Sequence, residues 1–245
     1  MKEIKKMKIV LTVMTVLLAF ALVSAAVPAF ASSDMNSAQA MVDRARVTFN
    51  DFMNDQHYSW LHEHMKDAKG LLIFPQVLKG GFILGGSGGS GVLVLKDAKT
   101  CSWSEPAFYT VGSVTFGFQI GGESAEVLMM VMSQKAVDSL LSSSFKLGGD
   151  TSIALGPVGE GAKANITADF ISFSKTKGLY AGINLEGSVV KVRDGLNSAY
   201  YGKTVSPADI LIKKDVASSG ARDFLSTLRK NLISNKECTV LTEYR

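Results

Sequence analysis

Apolar residues at Ala38, Met41, Val42, Ala45, Phe49, Phe52 and Met53 recur every three or four positions. That spacing places them on one face of a helix and predicts one over 35–54, capped by Ser33 or Asp34. Trp60, Leu61 and Met65 mark the apolar side of a second, short helix from His57 to Asp67. From Gly70 onward the pattern changes. Leu71 to Phe74 is a short apolar run that Pro75 stops, and Phe82-Ile83-Leu84 and Val92-Leu93-Val94-Leu95 flank a glycine–serine stretch. Val114, Phe116, Phe118 and Ile120 alternate with Ser113, Thr115, Gly117 and Gln119, the two-residue period of a half-buried strand. Val127 to Met132 is apolar throughout, which fits a strand buried on both faces or the start of a helix. Ser133 can cap a helix that carries Val137, Leu140 and Leu141. Strands follow over Thr151–Leu155, Ala164–Phe173 and Leu179–Val190. In the last of these, Leu179, Ala181, Ile183, Leu185 and Val189 share one face, opposite Tyr180, Asn184, Glu186 and Ser188. Ala221, Phe224, Leu225, Leu228 and Leu232 give a C-terminal amphipathic helix.

All 23 glycines lie after residue 69, many of them inside strand patterns. Glycine there marks bulges, sharp bends or close backbone approach. The expected fold is α+β: a glycine-rich, strongly bent, mainly antiparallel sheet or partial barrel, bracketed by N- and C-terminal helices. A hydrophobic content of 47% is enough to fill a core and excludes global disorder. No linker composition interrupts the chain after residue 31, so 32–245 reads as one domain.

Charge is concentrated at the two ends. Of the net +4, most belongs to Lys2, Lys5, Lys6 and Lys8, opposed by Glu3. Those lysines precede an uncharged apolar stretch from Ile9 to Val23, then Pro28, a helix breaker, and the small residues of Ala29-Phe30-Ala31. This is the order of a cleaved export signal over residues 1–31, with an uncleaved anchor as the alternative. The expected location is periplasmic or secreted, free or peripheral on a membrane. What remains is near neutral, which excludes a strongly basic nucleic-acid binder. Within it, 203–245 holds eight basic residues against five acidic ones. Lys213, Lys214, Arg222 and Arg229 stand around the apolar Phe224 and Leu228, as in a helix that lies on an anionic lipid surface. An ordinary docking helix with a basic outer face has the same pattern. The two cysteines, Cys101 and Cys238, either pair or remain separate thiols.

Several motifs invite chemistry and fail on context. Gly86-Ser87-Gly88-Gly89-Ser90-Gly91 satisfies G-x-G-x-x-G, but a strand-like run follows where a dinucleotide site needs a helix, so it reads as a flexible hairpin loop and no nucleotide is expected. Gly202-Lys203-Thr204 lacks the upstream glycine of a P-loop, since that position is Asn197. His57, His62 and His64 cluster without the H-E-x-x-H spacing that puts two imidazoles on one helix face, and no metal or other cofactor is expected. Asn165-Ile166-Thr167 fits the short glycosylation triplet. No nucleophile–base–orienter set is legible, so no enzyme activity is expected.

Ordered blocks of residues then resemble the SYLF domain family over roughly 40–235. They are Ala68-Lys69-Gly70-Leu71-Leu72-Ile73-Phe74-Pro75 with the Gly80–Gly91 stretch, and Trp103-Ser104-Glu105-Pro106-Ala107-Phe108-Tyr109. Phe116-Gly117-Phe118-Gln119-Ile120-Gly121, Gly156-Pro157-Val158-Gly159 and Ser174-Lys175-Thr176-Lys177-Gly178-Leu179-Tyr180-Ala181-Gly182 follow in order. Leu185-Glu186-Gly187 and Tyr200-Tyr201-Gly202 close the series. The resemblance implies a non-enzymatic lipid-binding module. Eukaryotic members bind phosphoinositides, and fungal relatives also bind and bundle actin. For an exported chain it implies affinity for anionic phospholipid or a membrane surface, with a protein-interaction or structural module of the actin-binding type as the alternative. Lys213, Lys214, Arg222, Phe224, Leu228 and Arg229 are the expected lipid contacts, and a pocket near Tyr180, Glu186 and Tyr201 is the second place to look.

Overall fold

A computed structural model describes residues 27–81, 84–116, 121–159, 161, 165–177 and 183–233. Helix α1 (Val27–Asn54) leads into a one-turn 3₁₀ segment (Gln56–Tyr58), α2 (Ser59–His64) and a second 3₁₀ turn (Met65–Asp67). Eight strands follow: β1 (Gly70–Gly81), β2 (Leu84–Leu95), β3 (Ala107–Phe116), β4 (Gly121–Val131), β5 (Ser144–Lys146), β6 (Ile153–Leu155), β7 (Phe170–Lys177) and β8 (Val189–Val192). Helix α3 (Gln134–Leu141) separates β4 from β5, while α4 (Asp194–Tyr201), a π-helical turn (Asp209–Lys213) and α5 (Arg222–Ile233) end the described chain. Among the described residues no helix is long and apolar enough to cross a membrane.

The strands form one sheet in the order β5-β8-β3-β2-β1-β4-β7-β6, antiparallel except for the β6–β7 pair. Its two edges, β5 and β6, are consecutive in sequence and joined by a tight turn in which Leu147 bridges Thr151. The Phe145 ring on β5 stacks on Phe170 of β7, centroids 5.6 Å apart. The sheet therefore curls into a half-barrel, as expected. Bulges in β1 opposite both neighbours, around Phe74 and Gln76, create the bend. Glycines make it possible. A Cβ at Gly91 would lie 2.4 Å from the Ile73 carbonyl oxygen, and one at Gly89 would lie 2.4 Å from that of Gln76.

Two cores result. The convex face contributes Leu71, Ile73, Val92, Val94, Leu128, Met130, Ile171 and Phe173 to a layer shared with α1, α2, α4 and α5. The concave face contributes Leu72, Phe74, Val77, Leu93, Val111, Ala125, Val127 and Met129, closed by α3 and the 183–216 segment. A buried Asn197 on α4 locks helix to sheet: its Oδ1 accepts the Phe108 N–H at 2.8 Å. Ser133 caps α3, its Oγ accepting the Ala136 N–H at 3.0 Å.

Several local expectations are corrected. Pro75 does not stop its strand; β1 runs through it, because a bulge spares it from donating to the ladder. The glycine–serine stretch is not a hairpin loop but most of strand β2, paired to β3 throughout and to β1 except at Gly91, where β1 bulges. Helix α1 continues through Ser33 and Asp34 and includes Pro28, which helix tolerates where a missing N–H has no partner to lose. The strand expected at Ala164–Phe173 is shifted to Phe170–Lys177. Ile183 and Leu185 are buried as expected, but a turn at Gly187 (φ 83°) resets the phase, so Val190 is buried and Val189 is 46% exposed. Val114 is 71% exposed, since the β3 register points it to the convex side, beyond the part that the helices cover. Phe118, Ile120 and Leu179–Gly182 lie outside the described residues.

Candidate functional site

The entry to β1 and the exit from β2 pair directly, Gly70 with Leu95, so the flanking Lys69 and Lys96 stand side by side at the sheet rim. Their backbones are fixed. Lys69 donates its N–H to the Val131 carbonyl (2.7 Å), and its own carbonyl accepts the Lys96 N–H (2.8 Å). The π-helical turn packs beside them. Ile210 and Leu211 are buried, whereas Ile212 is 53% exposed. Lys214 ends that turn in the left-handed region, φ 58°. Lys69, Lys96 and Lys214 line one open cleft of about 280 Å³, floored by Leu95, Val137 and Leu211 and edged by Ile212.

One acid sits among these bases. Asp97 accepts the N–H groups of Lys99 (2.9 Å) and Thr100 (3.1 Å) through Oδ1 and the Lys214 ammonium (2.9 Å) through Oδ2. The Lys214 hydrogen bond, with those of the Thr100 and Lys99 backbone, holds this carboxyl well below the ordinary range. Cys101, also left-handed at φ 52°, donates its N–H to the Asp97 carbonyl at 2.9 Å. Cys101 is disulfide-bonded; Cys238, the other cysteine of the sequence, lies outside the described residues. Lys96 reaches the Lys66 carbonyl with its ammonium. The cleft is thus basic, with an apolar floor, and its one acid is engaged by Lys214.

Of the residues singled out from sequence, Lys214 lines the cleft. Lys213 is adjacent, paired to Asp209 at 2.7 Å, and that carboxylate raises its ammonium pKa. Arg222 and Arg229 are exposed on α5 and do not line it. Phe224 and Leu228 are 1% and 0% exposed and belong to the core that α5 shares with α1, so they face the protein rather than a membrane. Glu186 is exposed in the turn before β8, its N–H bonded to Asn184 Oδ1. Tyr201 is half-buried at the end of α4, donating to the Pro106 carbonyl at 2.7 Å, and burial pushes its phenol up. No hydrogen bond or ion pair joins Glu186 to Tyr201 among the described residues, and Tyr180 lies outside them. Lys69, Lys96, Asp97 and Ile212 were missed. The long β1–β2 hairpin is the signal that pairs residue 69 with residue 96.

The histidines are each engaged in local structure. His57 Nδ1 lies 2.8 Å from Asp55, His62 bonds the Phe52 carbonyl, and His64 bonds the Trp60 carbonyl and stacks on its indole. Among the described residues no three His, Cys, Asp or Glu side chains group as metal ligands.

A curled, helix-braced antiparallel half-barrel with a basic cleft at its rim is the class of protein these features define. Residues 112–231 match the Ysc84 family, described as Las17-binding protein actin regulator. An SH3 domain-containing protein of Schizosaccharomyces pombe is 37% identical over 178 residues, 70% of this chain and 41% of that protein. Protein YSC84 of Saccharomyces cerevisiae is 35% identical over 154 residues, 60% of this chain and 32% of its own. The human SH3 domain-containing YSC84-like protein 1 is 32% identical over 168 residues, 66% of this chain and 48% of its own. The chain carries a Ysc84 (SYLF) family domain. It spans less than half the length of each of these relatives. The family's description is that of a binding protein, not of an enzyme. No solved structure matches the chain.

Proposed function

We propose that this protein is an exported, non-enzymatic binding module that docks on anionic phospholipid through the lysine cleft. The observation that carries the reading is the convergence of Lys69, Lys96 and Lys214 around an apolar floor beside the exposed Ile212. Lysines neutralise phosphate, and a neighbouring isoleucine enters the headgroup–acyl boundary. The ordered lysines, apolar stretch and small residues of 1–31 support export. So does a bonded Cys101, because disulfides persist in oxidising compartments. The test is flotation of the purified protein with vesicles of anionic phospholipid. Replacing Lys69, Lys96 and Lys214 together by Glu should abolish flotation with circular dichroism unchanged; undiminished flotation would remove the cleft from the mechanism. Edman sequencing of exported protein should begin at Ser32.

A second reading is a protein-interaction module, as the Las17-binding description of the family suggests. It has its own observation. On the convex face Leu78, Val114 and Val189 are 55%, 71% and 46% exposed, on a floor that includes Gly86, Gly88 and Gly112. Contiguous exposed apolar surface of this kind suits a protein partner. Replacing Leu78 and Val114 by Glu separates the two readings, since vesicle flotation should survive it and cosedimentation with actin should not.

A further inference from the structure

The concave face carries a second set of polar groups, at the end of β1 opposite the lysine cleft. Strand register aligns four residues in one row across β3, β2, β1 and β4. Ser113 is opposite Ser87, Ser87 opposite Lys79, and Lys79 opposite Glu123. Residues two apart on a strand share a face. Two positions along from this row lie Val111, Val77 and Ala125, all in the concave core, so the row faces the inside of the curl.

The row is built and unsatisfied. The Ser87 and Ser113 hydroxyl oxygens are 2.8 Å apart. Glu123 is only 7% exposed, and its Oε1 has no hydrogen-bond partner among the described residues. Lys79 is half-buried directly across from it, yet no ion pair joins the two there. A buried carboxylate oxygen without a donor is costly, and native proteins keep few such atoms. Glu123 offers an acceptor for a charged N–H donor. The Lys79 ammonium and the one serine O–H that the Ser87–Ser113 bond leaves free offer donors to an oxyanion with several free oxygens.

We propose that this row binds a zwitterionic amine–phosphate of the ethanolamine phosphate type, its ammonium on Glu123 and its phosphate on Lys79 and the free serine O–H. A purely anionic ligand leaves Glu123 unpaired, and a purely cationic one leaves Lys79 unpaired. The same chemistry is presented by a free metabolite or by a lipid headgroup. The site is independent of the rim cleft, so either can fail without the other.

Calorimetry on the full chain tests it, with O-phosphoethanolamine as the probe and phosphocholine, ethanolamine and inorganic phosphate as comparators. Saturable binding of O-phosphoethanolamine is expected, with phosphocholine, which has no N–H donor, weaker by about tenfold or more. Glu123→Gln and Lys79→Gln should each lose about tenfold or more. Glu123→Gln should not lower the thermal midpoint, because the Oε1 it alters has no hydrogen-bond partner among the described residues. Reversing the three cleft lysines should leave this binding unchanged. Vesicles of phosphatidylethanolamine alone distinguish the sources: flotation lost in Glu123→Gln assigns a headgroup, and binding of the soluble compound only assigns a free ligand. The proposal is overturned if the unaltered protein gives no saturable heat, or if Glu123→Gln binds as tightly as the parent. A lowered midpoint in Glu123→Gln overturns it too, since the carboxylate would then have a structural partner.

Discussion

The Lys214 ammonium lies 2.9 Å from Asp97 Oδ2, joining the π-helical turn to the loop after β2. This pair links residues 117 positions apart and engages one of the three lysines that line the cleft. Asp97 also organises its own loop through two backbone N–H groups, so it sets both the shape and the charge of the rim.

Asp97→Asn keeps an oxygen for those backbone groups and removes the charge. Lys214 is then free to meet phosphate. Binding to anionic vesicles should tighten by up to about fivefold at low salt, as one lysine near such a surface contributes about 1 kcal/mol. The gain should vanish at high salt. Stability should fall by no more than about 1 kcal/mol, the usual size of an exposed ion pair. Weaker vesicle binding in this variant would mean that Asp97 holds Lys214 in its working position.

Phe224→Ser with Leu228→Ser addresses α5. Both side chains are buried against α1. Truncating large core residues costs about 2–5 kcal/mol each, so the double variant should lose most of its resistance to urea. A variant of parental stability that no longer floats would show that α5 leaves the core to enter lipid.

The architecture was legible because it rests on periodicity. The helix faces of α1 and α5, the α3 cap at Ser133 and the curl implied by glycines in strand patterns all follow from residue spacing. What was not legible depends on pairing across the sheet. Ser87-Gly88-Gly89 reads locally as a loop, and only its neighbours in β1 and β3 make it a strand. Lys69 and Lys96 are 27 positions apart and meet through hairpin register. The basic C-terminal helix was a sound sequence signal, but its periodicity could not say whether Phe224 and Leu228 meet lipid or α1.

Acid should weaken the fold through Asp55. Hydrogen bonds from His57 and then Lys175 hold its carboxyl down at about 2, from an ordinary 3.8. Between those values the unfolded chain binds more protons than the folded one. The contribution of Asp55 is therefore complete above about pH 4 and is lost as pH falls towards 2. His57→Ala removes the largest cause, so urea midpoints measured across this window should fall less steeply than in the parent. An acid limb of unchanged slope would assign the loss to other carboxylates.

Two glycines of the same sheet should respond to alanine in opposite directions. Gly91 lies on β2 opposite Tyr109, beside the β1 bulge. A Cβ there would meet the Ile73 carbonyl oxygen at 2.4 Å and the Phe74 ring at 2.5 Å. Neither can retreat: the carbonyl is backbone at the bend, and Phe74 is wholly buried. Gly91→Ala should cost about 1–3 kcal/mol, the usual penalty of overpacking. Gly122 on β4 has nothing within 4 Å of its Cβ position and an ordinary backbone. Alanine there restricts the unfolded chain without a clash and should be neutral or add up to about 1 kcal/mol. Urea unfolding of the two variants measures both, and the difference isolates the cause of the curl. If Gly91→Ala is as stable as Gly122→Ala, the bend at Pro75 does not depend on the close approach of β2, and the bulge alone sets it.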